Sequence, residues 1–226
     1  MKDLLEERVM LHKDHPKYFT NYFNYLGLKD IVVYQGVFRP EISPVTIAIC
    51  NWLTENKEQC YKKNVCDLGC GSGVFSIIIA KNGAKKVTSI DTDPSAIQNT
   101  RENANLHKIN KIICIKSNLF QSLKKERFDL IISNFPLITR NKTVDTKYLS
   151  VLTNGSVADE LWKGMKKHLK KDGIVIFPNV YIEGFKTLSH DDFAVKNGFH
   201  RLTIIENKLE YRQTIIHFQL HKYCMP

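Results

Sequence analysis

Short apolar, β-branched runs alternate along the chain with segments that have the periodicity of helices. The apolar runs predict five strands, at residues 64–68, 86–91, 111–116, 129–133 and 173–177. The helical patterns predict helices at residues 44–58, 74–81, 94–107 and 158–170. The last stretch, residues 201–223, predicts two longer strands that turn around Asn207 and Lys208. Strands and helices that alternate in this way indicate a parallel sheet covered by helices on both faces.

This pattern predicts an α/β fold with a doubly wound, Rossmann-like, mostly parallel sheet of seven strands and an antiparallel C-terminal hairpin. At 226 residues the chain is long enough for one well-buried domain, which we place at residues 41–226. Residues 1–40 are predicted to be a helical, aromatic extension packed on that core. Its aromatic residues recur at helical spacing, which is typical of core or lid positions: Tyr18, Phe19, Tyr22, Phe23 and Tyr25.

Composition is that of an ordinary globular protein, with 43% hydrophobic and 25% charged residues. No apolar run approaches the ~20 residues of a membrane helix, and the mixed charges at the N-terminus do not fit a secretory signal. The six cysteines show no zinc-type spacing. We therefore expect reduced thiols, no bound metal, no membrane partner and a cytoplasmic location.

The net charge of +10 favours polyanionic partners such as RNA, DNA or the ribosome. A Lys-rich protein from an AT-biased genome would have the same charge without any nucleic-acid role, so both interpretations stay open. One face of the predicted helix at 158–170 holds four lysines, at 163, 166, 167 and 170, opposite Trp162, Met165 and Leu169. A polyanion could dock there, although a solvated face is the commoner role of such a stripe.

Candidate chemistry begins at residues 65–73, with the sequence VCDLGCGSG. A predicted strand has Asp67 at its end. The chain then turns through alternating glycines at 69, 71 and 73, and a predicted helix follows. Glycine is needed where the backbone has positive φ or lies against a ligand. The dinucleotide fingerprint G-x-G-x-x-G is excluded, because no glycine occupies its third position.

Asp91 ends the second strand, eighteen residues after Gly73. A carboxylate at this place can accept hydrogen bonds from both hydroxyls of a ribose. Asp93 and Pro94 are better placed to begin the helix that follows, as its N-cap and first-turn proline. We therefore assign Asp91 to ribose and Asp93 to capping.

These motifs resemble the class I S-adenosylmethionine-dependent methyltransferases. The spacing D-x-G-x-G-x-G at residues 67–73 is similar to their first motif. The sequence NFPL at residues 134–137, after the fourth strand, resembles the Asn-Pro-Pro-Tyr signature of HemK-type release-factor glutamine methyltransferases and of adenine or guanine amino methyltransferases. Further matches are GVFRP at 36–40, RENA at 101–104 and NLF at 118–120, so that the resemblance covers roughly residues 34–180.

The resemblance implies S-adenosylmethionine as the cofactor. Asn118 stands where the family usually has an aspartate that meets the adenine amino group, and its carbonyl oxygen can still accept from that amine. Leu119 and Phe120 are expected to pack beside adenine. The complete set of cofactor-binding residues implied in this way is Asp67, Gly69, Cys70, Gly71, Gly73, Asp91, Thr92, Asn118, Leu119 and Asn134.

The resemblance also implies how catalysis works. The acceptor nitrogen is a poor nucleophile because its lone pair is delocalised, and an Asn oxygen and a backbone carbonyl accept its two hydrogens. Catalysis is then mainly positioning and electrostatics. Here Asn134 and the carbonyl of Phe135 are the implied acceptors, and Pro136 shapes the turn. Substrate contacts are expected from Phe38, Arg39 and Leu137.

Two positions depart from the signature, because Phe135 replaces the first proline and Leu137 replaces the aromatic residue that stacks on the target. Either Phe135 or an N-terminal aromatic residue compensates, or the substrate is not a planar amide or base, or residues 134–137 are a loop without a catalytic part. The leading hypothesis is an N-methyltransferase acting on a planar amide or amino nitrogen of a protein (glutamine type) or a nucleic acid. A small-molecule methyltransferase and an inactive S-adenosylmethionine-binding subunit are the alternatives.

Overall fold

The computed structural model describes residues 14–135, 138–139, 152–153, 155–182, 188–211 and 214–226. Its strands are β1 (Tyr18–Thr20), β2 (Ile31–Val33), β3 (Asn64–Leu68), β4 (Lys86–Asp91), β5 (Ile112–Lys116), β6 (Phe128–Ser133), β7 (Ile138–Thr139), β8 (Leu152–Thr153), β9 (Leu169–Ile182), β10 (His200–Tyr211) and β11 (Thr214–Cys224). Its α-helices are α1 (Pro44–Glu55), α2 (Val74–Lys81), α3 (Pro94–Leu106), α4 (Gly155–His168) and α5 (His190–Lys196). Short 3₁₀ turns occupy Tyr22–Leu26, Pro40–Ile42 and Lys57–Gln59.

A seven-stranded sheet in the order β10-β11-β9-β6-β3-β4-β5 forms the centre of the molecule. Neighbours from β9 to β5 pair in parallel, and β11 pairs antiparallel with both β9 and β10. The predicted fold class, a mostly parallel α/β sheet with an antiparallel C-terminal hairpin, is therefore confirmed. Among the described residues, every helix is too short or too polar to cross a lipid bilayer.

Alternating side chains of the central strands enter two separate hydrophobic cores. Along β6, Leu130 and Ile132 pack in the core that α1, α2 and α3 cover, whereas Ile131 packs in the core beneath α4 and α5. The second core contains Trp162 of α4, which is fully buried. Strands that are buried on both faces read as continuous apolar runs, which is why the sequence reveals them.

The order in which strands are added to the sheet reverses at β3, and the candidate site lies at this point. After β3 the chain forms β4 and β5 on one side and then crosses to β6 on the other side. Ligands of open α/β sheets bind outside the carboxyl ends of the strands at such a switch point. Residues 69–73 follow β3 and Asn134 follows β6, so both lie at this edge.

The prediction of a helical N-terminal extension is wrong for the described part of it. Tyr18 and Phe19 lie in β1, which pairs with β2, while Tyr22, Phe23 and Tyr25 lie in a 3₁₀ turn that Gly27 ends with positive φ. Pairing with β2 overrides the helical spacing and turns neighbouring side chains to opposite faces. Phe23 enters the core, but Phe19 and Tyr25 are more than half exposed. The division of the chain at residue 40 stays a prediction.

Element ends differ from the sequence predictions in three further places. The helix at 44–58 ends at Glu55, and residues Lys57–Gln59 form a separate 3₁₀ turn. The lysine-bearing helix ends at His168, so Lys170 lies in β9, where it pairs with Asp129. The final strands pair as far as Tyr211 and Thr214, which places Asn207 and Lys208 inside β10 rather than in a turn. Cross-strand pairing decides these boundaries, and local pattern does not contain it.

Candidate functional site

The glycine loop between β3 and α2 has positive φ at all three of its glycines, +76° at Gly69, +51° at Gly71 and +81° at Gly73. A Cβ at Gly73 would lie 2.8 Å from Thr100 of α3, so this glycine is required both by φ and by close packing. Nothing lies within 4 Å of a Cβ position at Gly69. The loop therefore closes against α3 at Gly73 and stays open at Gly69.

Asp67 is fully buried behind this loop. Its Oδ2 accepts hydrogen bonds from the backbone nitrogen of Ser76 at 3.0 Å and from the Ser76 hydroxyl at 2.5 Å. The Ser76 hydroxyl also lies 2.6 Å from that of Ser89 in β4. The other carboxylate oxygen, Oδ1, is buried without a hydrogen-bond partner among the described residues. Asp67 thus links β3 to the first turn of α2 and holds one unpartnered oxygen.

The protonation of Asp67 should make stability depend on pH. Burial raises the pKa of Asp67 to about 7, although the hydrogen bonds from Ser76 oppose the shift. Between the ordinary aspartate pKa of ~3.9 and this value, the folded protein holds a proton that the unfolded chain has lost. The free energy of unfolding of the cofactor-free protein should therefore fall as pH rises from about 4 to about 7, by up to ~1.4 kcal/mol per pH unit from this group.

An Asp67→Asn variant cannot ionise at this position. Its free energy of unfolding should therefore lack the pH-dependent contribution of Asp67. Urea unfolding of both proteins between pH 5 and pH 8 measures the difference, and the wild type controls for every other titrating group. Identical pH slopes for the two proteins would contradict a proton on Asp67.

Asp91 and Asp93 have separate roles at the end of β4. The half-buried Asp91 carboxylate accepts hydrogen bonds from the backbone nitrogens of Gly71 and Asp93, each at 3.0 Å. Burial raises the pKa of Asp91, against these two hydrogen bonds. Asp93 is the N-cap of α3, and its side chain accepts from the Ser95 nitrogen at 2.8 Å. The capping assignment is confirmed, and the carboxylate of Asp91 lies directly beside the glycine loop.

The residues after β5 divide between surface and core. Asn118 is exposed, and Leu119 is buried with a positive φ of +48°. The Phe120 ring stacks on His168 of α4 with 5.1 Å between ring centroids, and its atoms crowd Gly164. Phe120 therefore packs beneath α4, which leaves Asn118 and Leu119 as the predicted adenine contacts on this loop.

Asn134 follows β6 and contacts a residue that sequence reasoning missed. Its Nδ2 donates to the Thr46 hydroxyl at 3.0 Å. Thr46 is buried in the first turn of α1, where its backbone nitrogen donates to the N-cap residue Ser43. None of the described residues donates a hydrogen bond to Oδ1 of Asn134. The Asn134 amide is thus oriented by α1, with its oxygen left for another donor.

Phe135 is half-buried, and its ring meets that of His190 edge-on with 6.3 Å between centroids. Aromatic pairs favour this geometry. Pro136 and Leu137, also predicted for the site, lie outside the described residues. Thr92, at the exposed turn after Asp91, and Cys70, buried in the glycine loop with its thiol accepting from Thr100, are both at the carboxyl edge.

Phe38 and Arg39 lie half-buried on the segment between β2 and α1. The Arg39 guanidinium donates to Glu41 at 3.0 Å and to the Tyr18 hydroxyl at 3.1 Å. The neighbouring Val37 lies 3.9 Å from the Cβ position at Gly71, so this segment borders the glycine loop. Their predicted contacts with substrate stay predictions.

The residues at this edge fit the implied cofactor. Space beside Gly69 is open, the Asp91 carboxylate has a second lone pair on each oxygen, and Asn118 is exposed at the neighbouring strand end. A ribose would meet Asp91, an adenine would meet Asn118 and Leu119, and the methionine part would pass along the loop. The sequence predicted these positions, whereas Thr46, Ser76 and Thr100 have no motif and were found only through their contacts.

Comparisons with known proteins identify the family of this chain. The chain matches the family described as the methyltransferase small domain over residues 31–212. A protein of Methanocaldococcus jannaschii, provisionally named a protein N5-glutamine methyltransferase, is 32% identical over 130 residues, which are 54% of this chain and 64% of that protein. The ribosomal protein L11 methyltransferase of Acetivibrio thermocellus is 30% identical over 149 residues, 65% of this chain and 41% of that protein.

The chain therefore spans between 41% and 64% of the length of these curated relatives. Among solved structures, the T. thermophilus 16S rRNA N2 G1207 methyltransferase in complex with AdoMet and guanosine has a TM-score of 0.61. It is 17% identical and covers 90% of this chain and 49% of its own. At 17% identity, this similarity shows that the two proteins share a fold.

Proposed function

The chain belongs to the methyltransferase small domain family, and we propose that it methylates a planar amide or amino nitrogen of a protein or a nucleic acid. The proposal includes S-adenosylmethionine as the methyl donor, which the family membership and the fit of the carboxyl edge support. It also concerns the acceptor and the residues that present it.

One observation carries the proposal, the placement of Asn134 at the switch point with its amide nitrogen on Thr46. Ser133, the residue before it, donates to the carbonyl oxygen of Leu68 at 2.6 Å, directly before the glycine loop. These two hydrogen bonds connect the end of β6 to the end of β3, directly before the glycine loop, and to α1. Oδ1 of Asn134 is a hydrogen-bond acceptor beside the cofactor loop.

When bound, S-adenosylmethionine supplies an electrophilic methyl group. Asn134 Oδ1 and the Phe135 carbonyl would accept the two hydrogens of the acceptor NH₂. This orients the nitrogen so that its lone pair points away from both oxygens, and positioning of this kind lowers the entropic part of the barrier. Because Thr46 already orients the Asn134 amide, little reorganisation is needed when the acceptor arrives.

Relatives favour a macromolecular acceptor. The names of the two curated relatives refer to a protein glutamine and to ribosomal protein L11. The net charge of +10 allows the nucleic-acid alternative as well. An amide and an exocyclic amine present the same two hydrogens to Asn134, so one site chemistry serves both.

A Thr46→Val variant should lower kcat about fivefold while leaving the Kd for S-adenosylmethionine within twofold. Valine keeps the volume of threonine but lacks the oxygen that accepts from Asn134, and one hydrogen bond is worth about 1 kcal/mol. A Thr46→Ser variant keeps the oxygen and should restore most of the rate. Rates with labelled S-adenosylmethionine and calorimetric Kd values separate the two effects. Equal rates for the valine and serine variants would show that Thr46 does not position Asn134.

The acceptor class is tested by transfer of a labelled methyl group from S-adenosylmethionine to ribosomal proteins, release factors, rRNA, tRNA and metabolite extracts. We expect label in an amide or amino nitrogen of protein or RNA, identified by mass spectrometry. Label in a metabolite alone would replace the proposal by a small-molecule methyltransferase. S-adenosylmethionine binding without transfer to any fraction would indicate an inactive cofactor-binding subunit.

A further inference from the structure

Basic residues lie at the amino end of each of the five parallel strands. This edge of the sheet is opposite the candidate site. The basic residues lie in the segments 61–63 before β3, 85–86 at β4, 108–111 before β5, 124–127 before β6 and 170–172 in β9. Together these segments form what we call the basic edge. Its cationic residues are Lys62, Lys63, Lys85, Lys86, Lys108, Lys111, Lys124, Lys125, Arg127, Lys170 and Lys171.

Backbone and side-chain contacts bring these segments next to one another. The Lys85 nitrogen donates to the Lys63 carbonyl at 2.8 Å, and the Val87 nitrogen donates to the Lys111 carbonyl at 3.0 Å. Lys86 pairs with Glu126, which joins the β4 segment to the β6 segment. Arg127 then donates to the Leu169 carbonyl at 3.1 Å, at the start of β9. The five strand ends span about 19 Å at the usual strand spacing.

Most of the net charge of the chain lies on this edge. The five segments hold eleven basic residues and two acidic ones, Glu126 and Asp172. The rest of the chain holds 22 basic and 21 acidic residues and is nearly balanced. Seven of the eleven cationic residues are exposed: Lys62, Lys85, Lys108, Lys124, Lys125, Arg127 and Lys171. Charge of one sign concentrated in this way produces a positive potential that extends into solvent.

We propose that the basic edge is a docking surface for the phosphodiester backbone of a nucleic acid. A row of cations about 19 Å long matches a polymer with regularly spaced negative charges rather than a single anion. The exposed Tyr61 at this edge, with the Lys62 ammonium 5.1 Å from its ring centre, adds an aromatic face beside the cations. A membrane surface would also need apolar anchors, and Tyr61 is the one aromatic residue in these segments.

The basic edge lies at the amino ends of the parallel strands, whereas Asn134 lies at their carboxyl ends. β3 is five residues long, so about 17 Å separates the two edges. A nucleic acid bound at the basic edge would leave the glycine loop and the position of the methyl acceptor beside Asn134 open. The surface would therefore hold the enzyme on a nucleic acid, or on its complex with protein, while the carboxyl edge reaches the methyl acceptor.

The test is binding of a labelled 20-nucleotide single-stranded RNA, followed by fluorescence anisotropy at several salt concentrations. A Lys85→Gln/Lys125→Gln variant removes two exposed cations from different strand ends. Two lost phosphate contacts should weaken binding about 20-fold at 0.1 M salt and reduce the salt slope by ~1.4. The matched control is Lys196→Gln/Lys208→Gln, which removes the same charge from exposed lysines of α5 and β10 and should bind within twofold of wild type.

Two further probes distinguish the partner. Duplex DNA bound as tightly as the RNA would support recognition of the shared phosphodiester chemistry, and preference for RNA would support an RNA partner. Binding of vesicles containing 30% phosphatidylserine without binding of either nucleic acid would overturn the proposal, as would equal losses in the two double variants. Calorimetric titration with S-adenosylmethionine confirms that each variant is folded, and it reports on the methyltransferase site independently.

Discussion

An Asn134→Ala variant is expected to lose at least ~100-fold in the rate of methyl transfer, with the affinity for S-adenosylmethionine nearly unchanged. The variant removes the side-chain oxygen that would accept one hydrogen of the acceptor NH₂ and leaves the Phe135 carbonyl alone. The nitrogen would then rotate away from the attacking geometry. Initial rates with labelled S-adenosylmethionine, together with calorimetric Kd values, measure both quantities.

Asn118→Ala provides the matched control for this prediction, because it removes the same side chain from the carboxyl end of another strand, β5. It should weaken cofactor binding several-fold, through the lost adenine contact, while kcat at saturating cofactor stays within about threefold. If Asn134→Ala transferred methyl groups as fast as wild type, the catalytic role of residues 134–137 would be refuted, while the cofactor site would stand.

An Asp91→Ala variant is expected to weaken binding of S-adenosylmethionine and of its demethylated product at least ~100-fold. Hydrogen bonds to charged groups are worth about 1.5–3 kcal/mol each, and the ribose would donate two of them to this carboxylate. The Gly71 nitrogen, which donates to Asp91 at 3.0 Å, would also lose its partner, so the loop would be less ordered. Calorimetric titration with both compounds gives the affinities directly.

Asp93→Ala separates a role in binding from a role in folding. Asp93 lies two residues away and caps α3, so its loss should cost about 1 kcal/mol of stability while leaving the cofactor affinity within about threefold. A loss of affinity in Asp93→Ala as large as that in Asp91→Ala would mean that the α3 terminus, and not the carboxylate of Asp91, holds the cofactor.

The sequence by itself determined the features that depend on a few consecutive residues. The strand, loop and helix at 64–81 lie where the pattern predicts them, since apolar strands, glycines with positive φ and helix periodicity are local properties. The capping role of Asp93 and the end of α2 at Asn82 and Gly83 follow from equally local rules. The order of strands and helices then determined the fold class, because parallel strands require crossover helices.

The tertiary structure alone decided which distant residues meet. Thr46 and Asn134 are 88 residues apart, and no spacing rule connects the start of α1 with the end of β6. Eleven basic residues spread over more than a hundred positions become one charged edge only when five strands align in register. The N-terminal aromatics and the β10–β11 turn were mispredicted for the same reason. Strand pairing and core packing act between segments that are remote along the chain, and local propensity contains no information about them.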